Sequence, residues 1–180
     1  MEEFDLFFTT GNRLIYEKAY FGRRKYLTVY GILATYRKKQ EDVDKLAQII
    51  TAICQERFWA LPAHVSSETK DELTIDLFAA ETAQTLSELV FLLYDKLPEE
   101  VIKKVFFEVQ RRVLVPFLSS TVPYSWWEKD RCNWAAVCAG SVGMTAIYMS
   151  RMQQLSDEKK EICIRRVCDA LDCYLDGMEE

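Results

Sequence analysis

Six stretches of this chain carry apolar residues at the helical period, and they alternate in kind. Residues 13–37, 75–93 and 131–150 are apolar over a broad arc, while residues 41–58, 98–118 and 157–176 are apolar on one face only. A helix apolar all round is buried, and a one-faced helix lies between core and water. The links inside the pairs one–two, three–four and five–six are short, and those after the second and fourth helices are long. Short links make antiparallel helix hairpins. The expected fold is all-α, a single helical domain over 1–180, with three hairpins side by side: broadly apolar helices inside, one-faced helices outside. Both long connections then fall at one end, at the N-termini of the inner helices. Long loops on a rigid scaffold are where function concentrates. Residues 1–12 read as a lead-in, and no fixed-period solenoid signature is present.

Local signals refine the pattern. The second helix sets Val43, Leu46, Ala47, Ile50, Ile53, Cys54 and Phe58 against Asp44, Lys45, Gln48, Gln55 and Glu56. In the fourth, Val101, Val105, Val109, Val113 and Phe117 form the apolar row, with Lys103, Lys104, Glu108, Arg111 and Arg112 expected to look outward. Pro98 is read at the favoured first-turn position, and Pro116 as a kink or stop. Ser156 opens the sixth helix. The fifth, Asn133 to Met144 and beyond, is apolar or small on nearly every side.

The net charge of −5 and the lack of a basic stripe argue against nucleic acid. No run is long enough for a membrane span. The acidic start, Met1-Glu2-Glu3-Phe4-Asp5, is unlike a signal peptide, so the chain as given is expected in the cytoplasm. Six cysteines form no Cys-x-x-Cys pair, and His64 is the only histidine. No metal site or cofactor is expected, and buried free thiols are the default.

Two regions carry candidate chemistry. One is the loop Leu61-Pro62-Ala63-His64. The other is Trp126-Trp127-Glu128-Lys129-Asp130-Arg131-Cys132-Asn133-Trp134, entering the buried fifth helix. Helix N-termini suit anions, so a carboxylate-bearing sugar beside tryptophan faces fits there. The plainer reading has Asn133 as a helix cap, the tryptophans as core and His64 as hydrogen-bonded structure.

Four pieces, in order along nearly the whole chain, resemble the N-terminal helical part of the heparinase II/III-like polysaccharide lyases. They are Thr10-Gly11-Asn12-Arg13 with Tyr20-Phe21-Gly22-Arg23-Arg24; Trp59-Ala60-Leu61-Pro62-Ala63-His64; Ile75-Asp76-Leu77-Phe78-Ala79-Ala80-Glu81-Thr82-Ala83; and Asn133-Trp134-Ala135-Ala136-Val137-Cys138-Ala139-Gly140. The resemblance implies an incomplete (α/α) toroid. It also implies cleavage of uronate-containing polysaccharides or oligosaccharides by β-elimination. That chemistry needs a neutraliser for the uronate carboxylate, an Asn or His, and an acid and base, usually Tyr and His.

Asn133 matches the second asparagine of the family's Asn-Asn-Trp-Asn pattern; Cys132 and Ala135 stand where the first and last are expected. The family's Glu-Gly-Pro and Tyr-Trp element, which supplies the catalytic tyrosine, and its β-sandwich have no counterpart here. The expectation is therefore a toroid fragment without lyase activity alone. Asn133 is its candidate catalytic residue, and His64, Trp126, Trp127, Arg131 and Trp134 are its candidate substrate contacts. Glu81, if buried, needs a partner such as Arg131 or His64. The open flank of the toroid is expected to favour homo-oligomers. The alternative is a non-catalytic helical carbohydrate-binding or protein-interaction domain.

Overall fold

A computed structural model describes residues 3–178. Among these there is no strand, and the chain is helical as expected. The elements are α1 (Glu3–Thr10), α2 (Leu14–Arg37), α3 (Gln40–Cys54), α4 (Leu77–Leu92), α5 (Glu99–Val109), α6 (Val115–Ser119), α7 (Asn133–Arg151) and α8 (Asp157–Asp176). Helix α2 packs on α3, α4 on α5, and α7 on both α4 and α8. Helix α3 also meets α5, and α6 meets α8. No helix among the described residues is long and apolar enough to cross a membrane.

The core follows from the periods. Leu46, Ile50 and Ile53 of α3, Val105 and Val109 of α5, and Leu86 and Val90 of α4 are all fully buried together with Ala139, Val142 and Ala146 of α7. Burying such side chains is the dominant favourable term in folding, about 1.5–3 kcal/mol for each large one. Small residues set the spacing. A Cβ on Gly31 of α2 would come within 2.7 Å of Leu89 Cδ2 on α4, so that glycine lets the two helices approach.

Several local expectations need correction. Residues 3–10 form α1, not an irregular lead-in. Phe4 stacks on Phe58 at 3.8 Å, with Phe8 and Tyr16 beside it, and Gly11 closes the helix with φ +70°. The second helix ends at Cys54, four residues early, because Arg57–Ala60 turn away and Phe58 joins the α1 cluster. Pro98 occupies the cap position, at ψ 137°, rather than the first turn.

The fourth helix is not interrupted at Pro116. A π-helical turn, Gln110–Leu114, precedes it and the helix runs on through α6. Proline has no N–H to give the preceding turn, and a wide turn there rearranges the ladder around it. It also rotates Arg112 inward. Arg112 is buried and donates to the carbonyls of Glu56 (2.7 Å) and Arg57 (2.8 Å), at the end of α3, and to Glu108. Ser156 does cap α8, accepting from the Lys159 N–H.

The two long connections pack on each other. Tyr124 donates its hydroxyl proton to the Leu73 carbonyl and accepts from the Ile75 N–H, and Trp127 Nε1 donates to the Ile75 carbonyl at 3.0 Å. Arg166 of α8 clamps the second loop, donating to Glu128, to the Phe117 carbonyl and to Ser120. Glu128, itself buried, also accepts from the Tyr124 N–H.

One face of α2 remains open, carrying Ile15, Tyr26, Val29, Ile32 and Tyr36.

Candidate functional site

The site grows from Asp76, which sits at the N-cap of α4 and is fully buried. Its Oδ1 accepts from the Ala79 N–H at 2.7 Å, as a capping carboxylate does. Its Oδ2 accepts from the Leu61 N–H at 3.1 Å and contacts His64 Nδ1 at 2.7 Å. A carboxylate only accepts, so Nδ1 of His64 carries the proton, and Nε2 makes no hydrogen bond among the described residues. The short Pro62–His64 turn delivers the ring, whose side chain retains 17% exposure. This is an oriented imidazole, the arrangement that general acid–base chemistry uses.

Aromatic rings extend on both sides of His64. Trp134 meets it edge-on at 4.7 Å, and Trp126 lies 5.0 Å from Trp134. On the other side the Phe78 ring is parallel to the imidazole at 5.9 Å, and Phe21 meets Phe78 at 5.2 Å. Trp126 is 55% exposed. A row of exposed and half-buried rings of this kind presents flat apolar faces between polar groups, which suits a sugar.

The structure thus brings together His64, Trp126 and Trp134. Asn133, next to Trp134, is the first residue of α7 and is exposed. It is not the cap; Cys132 occupies that position, and the loop is held by Asp130 accepting from the Cys132 N–H. The Asn133 amide makes no hydrogen bond among the described residues, so it is open to a ligand.

Trp127 differs from its neighbour. It is buried against Phe117 and Tyr124, and its faces serve packing. Arg131 is exposed and lies against Gly177 at the end of α8, where an added Cβ would meet its own Cβ at 2.5 Å. Glu81 is exposed too, and no ion pair joins it to Arg131 or His64 among the described residues. Instead it lines a cleft between α2 and α4.

Asp76, which holds the His64 ring, is the candidate residue that sequence reasoning passed over. The only signal was an acid ahead of an apolar helix, twelve residues after a lone histidine.

The tyrosines nearest the site are closed off. The Tyr20 hydroxyl is buried and donates to the Trp59 carbonyl at 2.7 Å. Burial raises its pKa well above the ordinary range, and pushes that of Tyr16 up to about 12. Burial likewise holds the Cys54 and Cys163 thiols at about 12, as inert neutral groups. Among the described residues no cluster of His, Cys, Asp and Glu is placed to hold a metal ion.

No protein-family profile matches the chain, and no curated protein matches it.

Proposed function

We propose that the chain is the helical part of a lyase that acts on uronate-containing polysaccharides or oligosaccharides by β-elimination, and that its hairpins belong to an incomplete (α/α) toroid. The observation that carries this reading is the Asp76-oriented imidazole of His64 set in an aromatic row with Trp134, the residue that follows the exposed Asn133 at the start of α7. The four motifs that resemble the heparinase II/III-like lyases fall on the same elements.

The chemistry divides into two proton transfers. A uronate ring stacks on Trp126 and Trp134. Asn133 donates to its carboxylate, and the positive end of α7 adds to that stabilisation. The C5–H bond then breaks, its proton goes to His64 Nε2, and the electron pair is held by the carboxylate. Asp76 stabilises the imidazolium and keeps the ring in place. Elimination is completed when that electron pair forms the C4–C5 double bond, the C4–O4 bond breaks and O4 takes a proton. Tyr16 and Tyr20, their hydroxyls bonded or buried, do not supply that proton, so the one on His64 Nε2 is returned to O4. With His64 serving both transfers, the chain alone is expected to exchange the C5 proton faster than it releases product.

This shortage favours a second reading, a carbohydrate-binding domain without chemistry. Exchange of the uronate C5 proton for deuterium, followed by NMR in heavy water, separates the two. The lyase reading expects exchange that is accelerated by the chain and lost in His64→Ala and Asn133→Ala. Binding without exchange supports the binding domain. Absence of binding to any uronate glycan overturns both.

A further inference from the structure

The turn that carries His64 is held from two sides. On one side Asp76 accepts from the Leu61 N–H and from His64 Nδ1, and the Tyr20 hydroxyl donates to the Trp59 carbonyl at 2.7 Å. Trp59 itself belongs to the main core. On the other side lies α1, against the Pro62–His64 turn. Phe58, Ala60 and Val65 are buried with Phe4 in a cluster separate from the main core, and Phe8 and Tyr16 pack against it. Residues 58–60 thus alternate between the two clusters. Both ends of the turn, Ala60 and Val65, rest in the α1 cluster.

Helix α1 is weak by itself. Eight residues are too few for a helix that is stable in water, so α1 depends on what it packs on. Phe4 stacks on Phe58 at 3.8 Å and meets Tyr16 edge-on at 5.2 Å. Lys70, from the connection beyond the turn, reaches back to Asp5 at 2.7 Å and lies 5.0 Å from the Phe8 ring. Gly11, at φ +70°, joins α1 to α2, and a Cβ there would meet nothing within 4 Å. Elements with few buried apolar contacts open locally, well before the main core. When α1 opens, Ala60 and Val65 lose the surface they rest on. The turn between them then keeps only its Asp76 side, and the imidazole is no longer confined to one orientation.

Resting on the reading of His64 as the base, we propose that α1 is a latch on the His64 turn, that Phe4 is its positioning residue, and that the Asp76–His64 pair stays assembled only while the latch is closed. Phe4 touches no substrate. It acts on the ring through Phe58, Ala60 and Val65.

Nitrogen NMR of the neutral His64 ring reads the pair directly, without ligand. The parent chain is expected to hold the proton on Nδ1, and Phe4→Ala to spread it over both ring nitrogens. Phe4→Leu, which keeps most of the buried apolar area, should restore the Nδ1 form. Hydrogen exchange of the parent needs no variant: the Leu61 and His64 amides should exchange together with those of α1, and faster than those of α4 and α7. With a saturating uronate oligosaccharide, Phe4→Ala should slow C5 proton exchange about a hundredfold, the scale of a 1 Å misplacement, and leave affinity within about twofold, because Trp126 and Trp134 belong to the second connection and α7. An unchanged Nδ1 form in Phe4→Ala overturns the latch and leaves the base reading standing. So do Leu61 and His64 amides protected like those of α4 while α1 exchanges freely. Loss of binding together with exchange makes Phe4 a general stabiliser and overturns the proposal. A spread tautomer in Phe4→Ala with no C5 exchange by the parent overturns the base reading and leaves the latch standing. If Phe4→Ala does not fold, hydrogen exchange of the parent decides.

Discussion

Asp76 performs three tasks with two oxygens: it caps α4, anchors the Leu61 N–H and sets the His64 tautomer. Removing it leaves buried donors unmatched, each worth about 1–3 kcal/mol, in addition to a cap of about 1 kcal/mol. Asp76→Ala is therefore expected to lower stability by about 3 kcal/mol in denaturant melts. His64→Ala, at a half-buried position, should lower it by clearly less. Glu81 makes a separate prediction at this scale. Although the residue is exposed overall, its carboxyl is partly shielded from water, and that desolvation together with Asp76 raises its pKa in the fold. A carboxyl that binds protons more tightly folded than unfolded loses stability as pH rises from the unfolded pKa through the folded one. Glu81→Gln should thus melt slightly higher than the parent at pH 7, and the difference should vanish below about pH 4, where both states are protonated. A parent that is more stable than Glu81→Gln at pH 7 would contradict that sign.

At the scale of elements, the site depends on how the second long connection is clamped to α8. Arg166 is the clamp, and Glu128 beneath it is almost fully buried. Removing one partner of such a pair leaves an uncompensated buried charge, a loss of about 3–5 kcal/mol. Arg166→Ala is expected to destabilise by that amount and, in NMR spectra, to shift the Trp126 and Trp134 indole signals; unshifted indoles would show that the rim stands without the clamp. None of this was legible beforehand. The six long helices were, because periods of apolar residues over many turns report burial directly. Helix α1 was not, being too short for its Phe4 and Phe8 pair to register as a period. Arg112 read as outward because the π-turn that rotates it inward leaves no mark on a regular period. Trp126 and Trp127 were equivalent in sequence. Only the turn holding Trp127 Nε1 against the Ile75 carbonyl sends one ring into the core and leaves the other at the rim. Asn133 and His64 were singled out as candidates by the sequence, but Asp76 needed the tertiary meeting of two loops to become more than a cap.

At the scale of the molecule, the exposed apolar face of α2 stands out, with Ile32 63% and Tyr36 86% exposed. Faces of this kind promote association. Sedimentation or light scattering is expected to show apparent mass rising with concentration, and Ile32→Glu with Tyr26→Glu to suppress the rise; a strict monomer at high concentration would speak against an open flank on this side. The central claim is that the rim formed by Trp126, Trp134, His64 and Asn133 recognises a uronate through its carboxylate. It is tested most directly by titrating the isotopically labelled chain with a uronate oligosaccharide and with the same oligosaccharide after its carboxyl groups have been reduced to alcohols. The account predicts saturable shifts of the Trp126 and Trp134 indole signals and of the Asn133 side-chain amide with the acid form, and binding at least about tenfold weaker with the reduced form, the value of one charge-assisted hydrogen bond. Equal affinity for the two forms, or shifts that bypass Trp126, Trp134 and Asn133, would contradict it.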